Sequence, residues 1–384
     1  MLGSEDQILV THVGSLPRPR DLLAMLEAQE RGEPVDEGRL SARIGDAVEE
    51  VVSRQVSCGV DIVNDGELGK TSFLTYVNSR LGGFEPIKDS AASPWAGSRE
   101  EQRFPEFYAG TQSGAASAIH MTCVDDITYT GRAALMADID RLGSATQTTP
   151  AREAFMTAIS PTNVEGWQRN DHYPSQEEFL FAIAEAMREE YEAIIDAGLL
   201  LQVDDPGLVT QYTMRPDWSV KDCRDWARVR VEALNHALRN IPPDRVRFHT
   251  CYSINIGPRV SDMELPDIVD LILDINAGAY SFEAANPRHE HEWRVWEDAR
   301  LPEDKLLAPG VITHSTVLVE HPDTIAERII RFAGVVGRER VLASSDCGFA
   351  SFASTDELHP SIVWAKLEAL GEGARRASER LWAR

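Results

Sequence analysis

The tripeptide His249-Thr250-Cys251 places an imidazole and a thiol two residues apart. On a β-strand, residues i and i+2 point to the same side, so both side chains could reach one metal ion. Glu283 ends the next apolar run, and Cys347 follows the last one in the chain. One imidazole, two thiolates and one carboxylate suit tetrahedral Zn²⁺. The competing reading is two buried cysteines and a core histidine, because free cysteine is commonly buried. Ligand-type residues recurring at later strand ends favour the metal.

Zinc has no redox chemistry. Hydrolytic zinc sites more often use histidine-rich ligand sets that activate water. A cysteine-rich set with an exchangeable oxygen ligand points instead to alkylation of a thiol, deprotonated near neutral pH by coordination and left as a nucleophile. Glu283 is the ligand expected to yield its place to the incoming sulfur.

Such residues need a scaffold that gathers strand ends. Short β-rich runs at Ile8–Val13, Val60–Asn64, Ala154–Ile159, Leu199–Val203, Val246–Thr250, Ala279–Glu283, Leu306–Thr313 and Val341–Ser345 alternate with amphipathic stretches of helical length. The clearest of these is Gln176–Ala197, with Ser175 as N-cap, Glu178 at the capping-box position and Gly198 just past the end. Eight strands with intervening helices predict an α/β fold, a (β/α)8 TIM barrel, whose active site lies at the C-terminal ends of its strands. A doubly wound open sheet is the alternative, but no strand is followed by a Gly-rich phosphate loop, and GELGKT (66–71) lacks the required spacing. The chain 1–384 is expected to be one domain. An insertion at 82–149, between strands 2 and 3, is rich in Ser, Gly and Ala, carries an extra strand pair around Ile119–Tyr129, and is expected to cover the barrel mouth.

Composition narrows the partners. Against 38 Lys+Arg stand 62 Asp+Glu, a formal charge of −24 over 384 residues, which disfavours phosphate backbones and anionic lipid surfaces. A hydrophobic fraction of 43% argues against disorder. The five cysteines do not form a disulfide-framework pattern, the start MLGSEDQILVTHVGS lacks the features of a secretory signal, and no apolar run is long enough to span a bilayer, so the cytoplasm is the expected location.

The segments THVGSLPR, VNDGELGKTSF, LQVDDP, HTCYS, FEAANPR, APGVITHS and SSDCGF, spread from residue 11 to 349, resemble the catalytic barrel of cobalamin-independent methionine synthases and their shorter relatives, which include the zinc enzymes that join epoxyalkanes to coenzyme M. The resemblance implies zinc held by His249, Cys251, Glu283 and Cys347. It implies a substrate carboxylate held at Gly14 and Ser15, and a substrate ammonium between Glu67 and Asp204. Asp205 is the weaker candidate beside it. It further implies that His314 donates a proton to the leaving group, although its motif is one residue shorter after Gly310, and that Trp167, six residues past Pro161, stacks on a folate ring, although SPTNVEGW replaces the family pattern. His289 and His291 are expected at a solvated helix start rather than at a second metal.

The activity so implied is zinc-dependent methyl transfer to homocysteine. The donor stays open among 5-methyltetrahydrofolate, a methylated corrinoid protein and another activated alkyl compound, because this sequence lacks the second barrel of the long family members and its acidity suits a polyglutamate tail poorly. Two other readings stand beside it. A coenzyme M–epoxide type transferase would need cations such as Arg18, Lys70 or Arg288 facing the thiol. A non-catalytic zinc-binding partner subunit would have four closed ligands. A decarboxylase of the uroporphyrinogen type shares the barrel but needs no zinc. Self-association is left open.

Overall fold

The structure, a computed structural model, describes residues 1–30, 33–87, 95–110, 120–252, 257–353 and 358–383. Among them the strands run, in chain order, β1 (Leu9–Val10), β2 (Ile62–Val63), β3 (Leu81–Pro86), β4 (Met121–Tyr129), β5 (Glu153–Ile159), β6 (Arg169–Asn170), β7 (Leu200–Asp204), β8 (Val246–His249), β9 (Ala279–Phe282), β10 (Leu306–Ile312) and β11 (Leu342–Ser345). Eight of these pair in parallel in the order β1-β11-β10-β9-β8-β7-β5-β2. This is the expected (β/α)8 barrel, and each expected strand overlaps an observed one.

The ring has a seam. No strand ladder joins β1 to β2 among the described residues. The gap is bridged by the Asp61 amide donating to the Val10 carbonyl (2.9 Å), the Val10 amide donating to Asp61 Oδ2 (2.9 Å), and Thr11 Oγ1 donating to the Ile62 carbonyl (3.2 Å). The helix Pro360–Leu381 packs beside this seam. Its Ser378 Oγ accepts from the Ile8 amide at 2.9 Å, and Gly371 lies so close to the Cys58 carbonyl that a Cβ would stand 2.1 Å from it.

The barrel interior is filled rather than hollow. Leu9, Ile62, Phe155, Leu200, Ala308 and Leu342 form one buried apolar cluster. Above it lies Arg247, fully buried, with its guanidinium 3.9 Å from the centre of the Phe155 ring and hydrogen-bonded to Thr11 Oγ1 and the His12 carbonyl. The outer helices bury one apolar face each. Gln176–Asp196 starts at Ser175, whose Oγ accepts from the Glu178 amide (3.1 Å), and stops at Gly198 with φ +85°, a conformation glycine adopts without steric cost. Only half of the expected capping box forms, because the Glu178 carboxylate accepts from the Ser175 hydroxyl and not from its amide.

The 82–149 segment divides in two. The expected strand pair around 119–129 is a single strand, β4, whose antiparallel partner is β3 upstream; β6 joins its other edge to make a separate three-stranded sheet. The helix Arg132–Thr148 buries Leu135, Ile139 and Leu142 and packs beside the helix Glu37–Ser57, so it belongs to the barrel's own helical ring. Arg80 ties the two parts together through ion pairs to Asp138 (2.5 Å) and Glu190 (3.2 Å), with Tyr76 and Tyr129 donating to the same Glu190. Residues 88–94 and 111–119 of this segment lie outside the described residues.

Candidate active site

Three of the four expected metal ligands meet at the C-terminal ends of the strands. His249 ends β8, Cys251 lies two residues on, and Cys347 lies two residues past β11; their ligand atoms are all within 4.8 Å of one another, and all three residues are buried. The two sulfurs are 3.2 Å apart. The hydrogen bond from Cys347 pulls the Cys251 thiol well below its ordinary pKa, with help from His249, while the same contact and burial push Cys347 up. His249 Nδ1 lies 3.2 Å from Ser281 Oγ, which fixes the ring and leaves Nε2 buried without a hydrogen-bond partner. An orphaned buried nitrogen facing two thiols is costly unless something binds it. Zinc fits this donor set in number and softness, and Ser281 supplies the outer hydrogen bond that metal-binding histidines usually make.

Glu283, the fourth expected ligand, is fully buried but stands outside this group. Its carboxylate accepts from Arg259 Nη1 (2.9 and 2.8 Å), the Tyr252 amide (2.8 Å) and Asn286 Nδ2 (2.6 Å).

A cavity of about 380 Å³ opens over the thiols and is lined by Ser15, Glu67, Asp204, His249, Cys251 and Cys347 at its polar end. Gly14 (φ +149°) brings the backbone against the acid, since a Cβ here would lie 2.8 Å from Glu67 Oε1 and from Thr157 Cγ2. Glu67 itself has φ +56°, an uncommon strain for a non-glycine residue and a frequent mark of functional sites. Its Oε1 accepts from Thr157 Oγ1 (2.9 Å), and Thr157 is held in turn by Lys70 Nζ. Its Oε2 is buried with no hydrogen-bond partner among the described residues. Asp204 accepts from Gln202 Nε2 (2.8 Å); burial raises its pKa to about 7, opposed by His249 and reinforced by Glu67. The two acids thus line one cavity, with an unfilled acceptor on Glu67. Asp205 is turned away, accepting from Asn163 Nδ2 (3.1 Å) and the Leu208 amide (3.0 Å) at the start of the next helix.

Ser15 fits against the last barrel loop because position 348 is glycine: a Cβ there would stand 2.1 Å from Ser15 Oγ. Gly348→Ala is therefore expected to displace Ser15 and raise KM for the thiol substrate about tenfold, the equivalent of one lost hydrogen bond, while zinc content stays unchanged. Steady-state kinetics with metal analysis on the same sample checks both halves.

The outer wall is apolar and aromatic, with Phe73, Leu74, Trp167, Met214 and Phe352. Trp167 ends the helix Pro161–Trp167 and stacks on His120, ring centres 4.9 Å apart. His120 and Trp95 bring the insertion to the cavity rim. His314 is buried two residues past β10 and lies outside the cavity lining.

One expectation is corrected. His291 is exposed within a short 3₁₀ helix (Glu290–Arg294), as a solvated helix start requires, but His289 is not solvated. It is 1% exposed, stacks on Tyr252 (3.9 Å, 5°), and both ring nitrogens contact carboxylates, Nδ1 on Glu292 (2.9 Å) and Nε2 on Asp262 (3.1 Å). The spacing NPRHEHEW shows the neighbouring Glu292 but not Asp262, which is why the burial was not legible. Burial opposes the charge, yet these two acids raise the His289 pKa to about 9. A raised folded-state value contributes stability fully below the unfolded value of 6.5 and loses it as pH rises through about 9. The midpoint of thermal unfolding is expected to fall between pH 6.5 and 9.5, and His289→Gln is expected to flatten that slope; an equally steep slope in the variant refutes the assignment.

Thr157, Gln202, Ser281 and Arg259 are residues at the site that the motifs alone did not single out, and Lys70, weighed only as a cation for a sulfonate thiol, holds Thr157 instead. Thr157 and Gln202 carry a readable signal, since each is a polar residue set between apolar neighbours inside a strand.

The family described as cobalamin-independent synthase, catalytic domain, matches residues 8–362. The chain is 26% identical to a methionine synthase of Thermococcus kodakarensis over 342 residues, covering 88% of this chain and 85% of that protein. It is 24% identical to a methionine synthase of Saccharolobus solfataricus over 375 residues, covering 97% and 95%. Among solved structures, a B12-independent methionine synthase from Shewanella sp. W3-18-1 in complex with selenomethionine shares the fold with a TM-score of 0.74 at 19% identity, covering 98% of this chain and all of that one. The putative vitamin-B12-independent methionine synthase of Listeria monocytogenes gives 0.67 at 18% identity, with the same coverage.

Proposed function

This chain belongs to the cobalamin-independent methionine synthase family, in its catalytic-domain part, and from that premise we propose that it is a zinc-dependent thiol S-methyltransferase that makes methionine from homocysteine. The observation that carries the reading is one cavity holding both halves of the substrate's chemistry: a buried His249-Cys251-Cys347 donor set beside two buried acids, one with an unfilled oxygen.

His249, Cys251 and Cys347 would hold the metal. Bound there, zinc supplies the Lewis acidity that keeps a coordinated thiol deprotonated near neutral pH. The chain's own residues do the rest. Glu67 and Asp204 take the substrate ammonium in charge-assisted hydrogen bonds, and Ser15 with the Gly14 turn takes its carboxylate. Thr157 and Lys70 hold Glu67 in place while Gln202 holds Asp204. Anchoring both ends of the amino acid fixes where its sulfur lies, which turns the transfer into a positioned displacement. The apolar wall around Trp167 receives the methyl donor, 5-methyltetrahydrofolate or another activated methyl compound; His314, the proton donor that the resemblance implies, lies outside the cavity lining, and no step is routed through it.

A sulfonate thiol such as coenzyme M fits poorly. Arg18 donates to the carbonyls of Ala350, Glu67 and Lys70, and Lys70 Nζ is committed to Thr157. Neither these two nor Arg288 lines the cavity, and acids stand where the anion would sit. No described helix is long and apolar enough to cross a membrane, in keeping with a cytoplasmic enzyme. The test is X-ray absorption at the zinc edge with homocysteine and with coenzyme M, followed by mass detection of methionine across a panel of methyl donors. Gain of one sulfur neighbour with homocysteine alone is expected; no gain with either thiol sinks the proposal.

A further inference from the structure

Glu283 and Cys347 follow strands that are not neighbours, since β10 lies between β9 and β11. One side chain spans that gap. Asp346, the residue before Cys347, is completely buried, and its Oδ1 accepts from the backbone amides of Ala284 (2.7 Å) and Ala285 (2.8 Å), the two residues after Glu283. Asn286 Nδ2 lies between the two acids, donating to Glu283 Oε2 at 2.6 Å and reaching Asp346 Oδ2 at 3.4 Å. The passage over β10 exists because position 310 is glycine. A Cβ there would stand 2.1 Å from Asp346 Oδ1 and 2.6 Å from its Cα, so neither the side chain nor the backbone of Asp346 could stay in place. The two strands are also out of step at this point. Gly310 pairs with Ser344 and Ile312 with Ser345, which leaves Val311 as an extra residue. A bulge of this kind re-aims the side chains beside it. The Asp346 amide closes it by donating to the Ile312 carbonyl at 2.9 Å.

We propose that Asp346 is a positioning residue of the metal centre: reaching across the end of β10 through the space that Gly310 leaves, it fixes the backbone after Glu283 to the backbone before Cys347. The inference rests on the zinc reading given above. A metal site needs its donors held to within about 0.5 Å, and donors on separate loops drift apart unless something ties the loops together. The barrel ladder does not reach far enough to do so, because Glu283 and Cys347 both lie past the last paired residues of their strands. A carboxylate suits the task, since one of its oxygens accepts two amides at once and makes the stronger, charge-assisted bonds. With residues 284 and 285 pinned, Glu283 changes partners only by turning its side chain. The tie is to the main chain, so it holds whether Arg259 or a metal takes the Glu283 carboxylate.

Zinc affinity of the purified full chain, measured by competition with a chromophoric chelator, tests this. Asp346→Ala is expected to weaken zinc about ten- to a hundredfold, the cost of losing an outer partner of the ligands. Asp346→Asn, whose amide oxygen still accepts from Ala284 and Ala285, is expected to stay within about threefold of wild type. Gly310→Ala pushes the same side chain out and is expected to weaken zinc as Asp346→Ala does. The double variant should lose no more than either single one, because both remove one contact. Hydrogen exchange in the metal-free protein gives a second readout. The amides of Ala284 and Ala285 are expected to exchange faster in Asp346→Ala but not in Asp346→Asn, with those of Val203 and Phe248 unchanged, which separates loss of the tie from a general loosening of the barrel. Wild-type zinc affinity in Asp346→Ala, an equal loss in Asp346→Asn, or additive losses in the double variant overturns the inference while leaving the zinc reading intact. Retention of zinc by Cys251→Ala overturns both. Should Asp346→Ala not fold, Asp346→Ser, too short to reach the two amides, takes its place.

Discussion

Cys251→Ala is expected to leave the purified protein without stoichiometric zinc and to lower methionine formation on the order of 10³-fold or more, several kcal/mol of lost sulfur activation. Cys347→Ala should match it. The reason lies in how little else can replace these thiols. His249 is the only other residue whose ligand atom joins the group among the described residues. One imidazole and one thiol do not make a zinc site. The fold is expected to survive, because the 3.2 Å contact between the two sulfurs is a local one at the cavity floor and neither side chain bears on the barrel ladder. Circular dichroism beside metal analysis separates loss of zinc from loss of structure. Full zinc content and unchanged turnover in both variants would falsify the metal assignment outright.

Glu67→Gln is expected to raise KM for homocysteine about a hundredfold, the worth of one or two charge-assisted hydrogen bonds, with zinc content unchanged. The same change should raise thermal stability, because it removes a buried carboxylate oxygen that has no partner until substrate arrives. A gain in stability paired with a loss in affinity is a signature that a purely structural acid cannot give. Asp204 adds a pH dependence. With its pKa raised to about 7 by burial, it carries its charge only above that value, so KM should fall as pH rises through 7. Asp204→Asn should remove that dependence. A homocysteine analogue lacking the ammonium group should bind wild type and Glu67→Gln alike; a hundredfold difference between them would separate Glu67 from the ammonium.

The barrel was legible because alternation is written in local periodicity: each of the eight strands lies in a short, largely apolar run, and each ends on a polar residue or is directly followed by one. The approach of His249 to Cys251 was legible for a related reason, since the two residues stand at and just past the end of one strand, whereas Cys347 joins them only through the ring of strands. What was not legible depends on pairs distant in sequence. β4 finds β3, some forty residues upstream, and nothing local distinguishes that from a hairpin. His289 is buried by Asp262 and Glu292 together, and Glu283 is claimed by Arg259, a residue whose left-handed backbone no composition rule anticipates. The resemblance marked Gly14, but not what its missing side chain admits: Glu67 on one side and Thr157 on the other.

The two strands that flank the barrel seam, β1 and β2, lead directly into Ser15 and Glu67, whereas β8, which carries the metal residues His249 and Cys251, lies within the unbroken ladder. Opening a gap held by a few hydrogen bonds costs less than opening a ladder paired on both sides. Amide hydrogens at Val10 and Asp61 should therefore exchange well before those at Val203 and Phe248. An opening along this seam would run between Ser15 and Glu67, the residues proposed to hold the two ends of the amino acid. Substrate would then enter and leave by a motion that spares the β7-β8-β9 ladder behind His249 and Cys251.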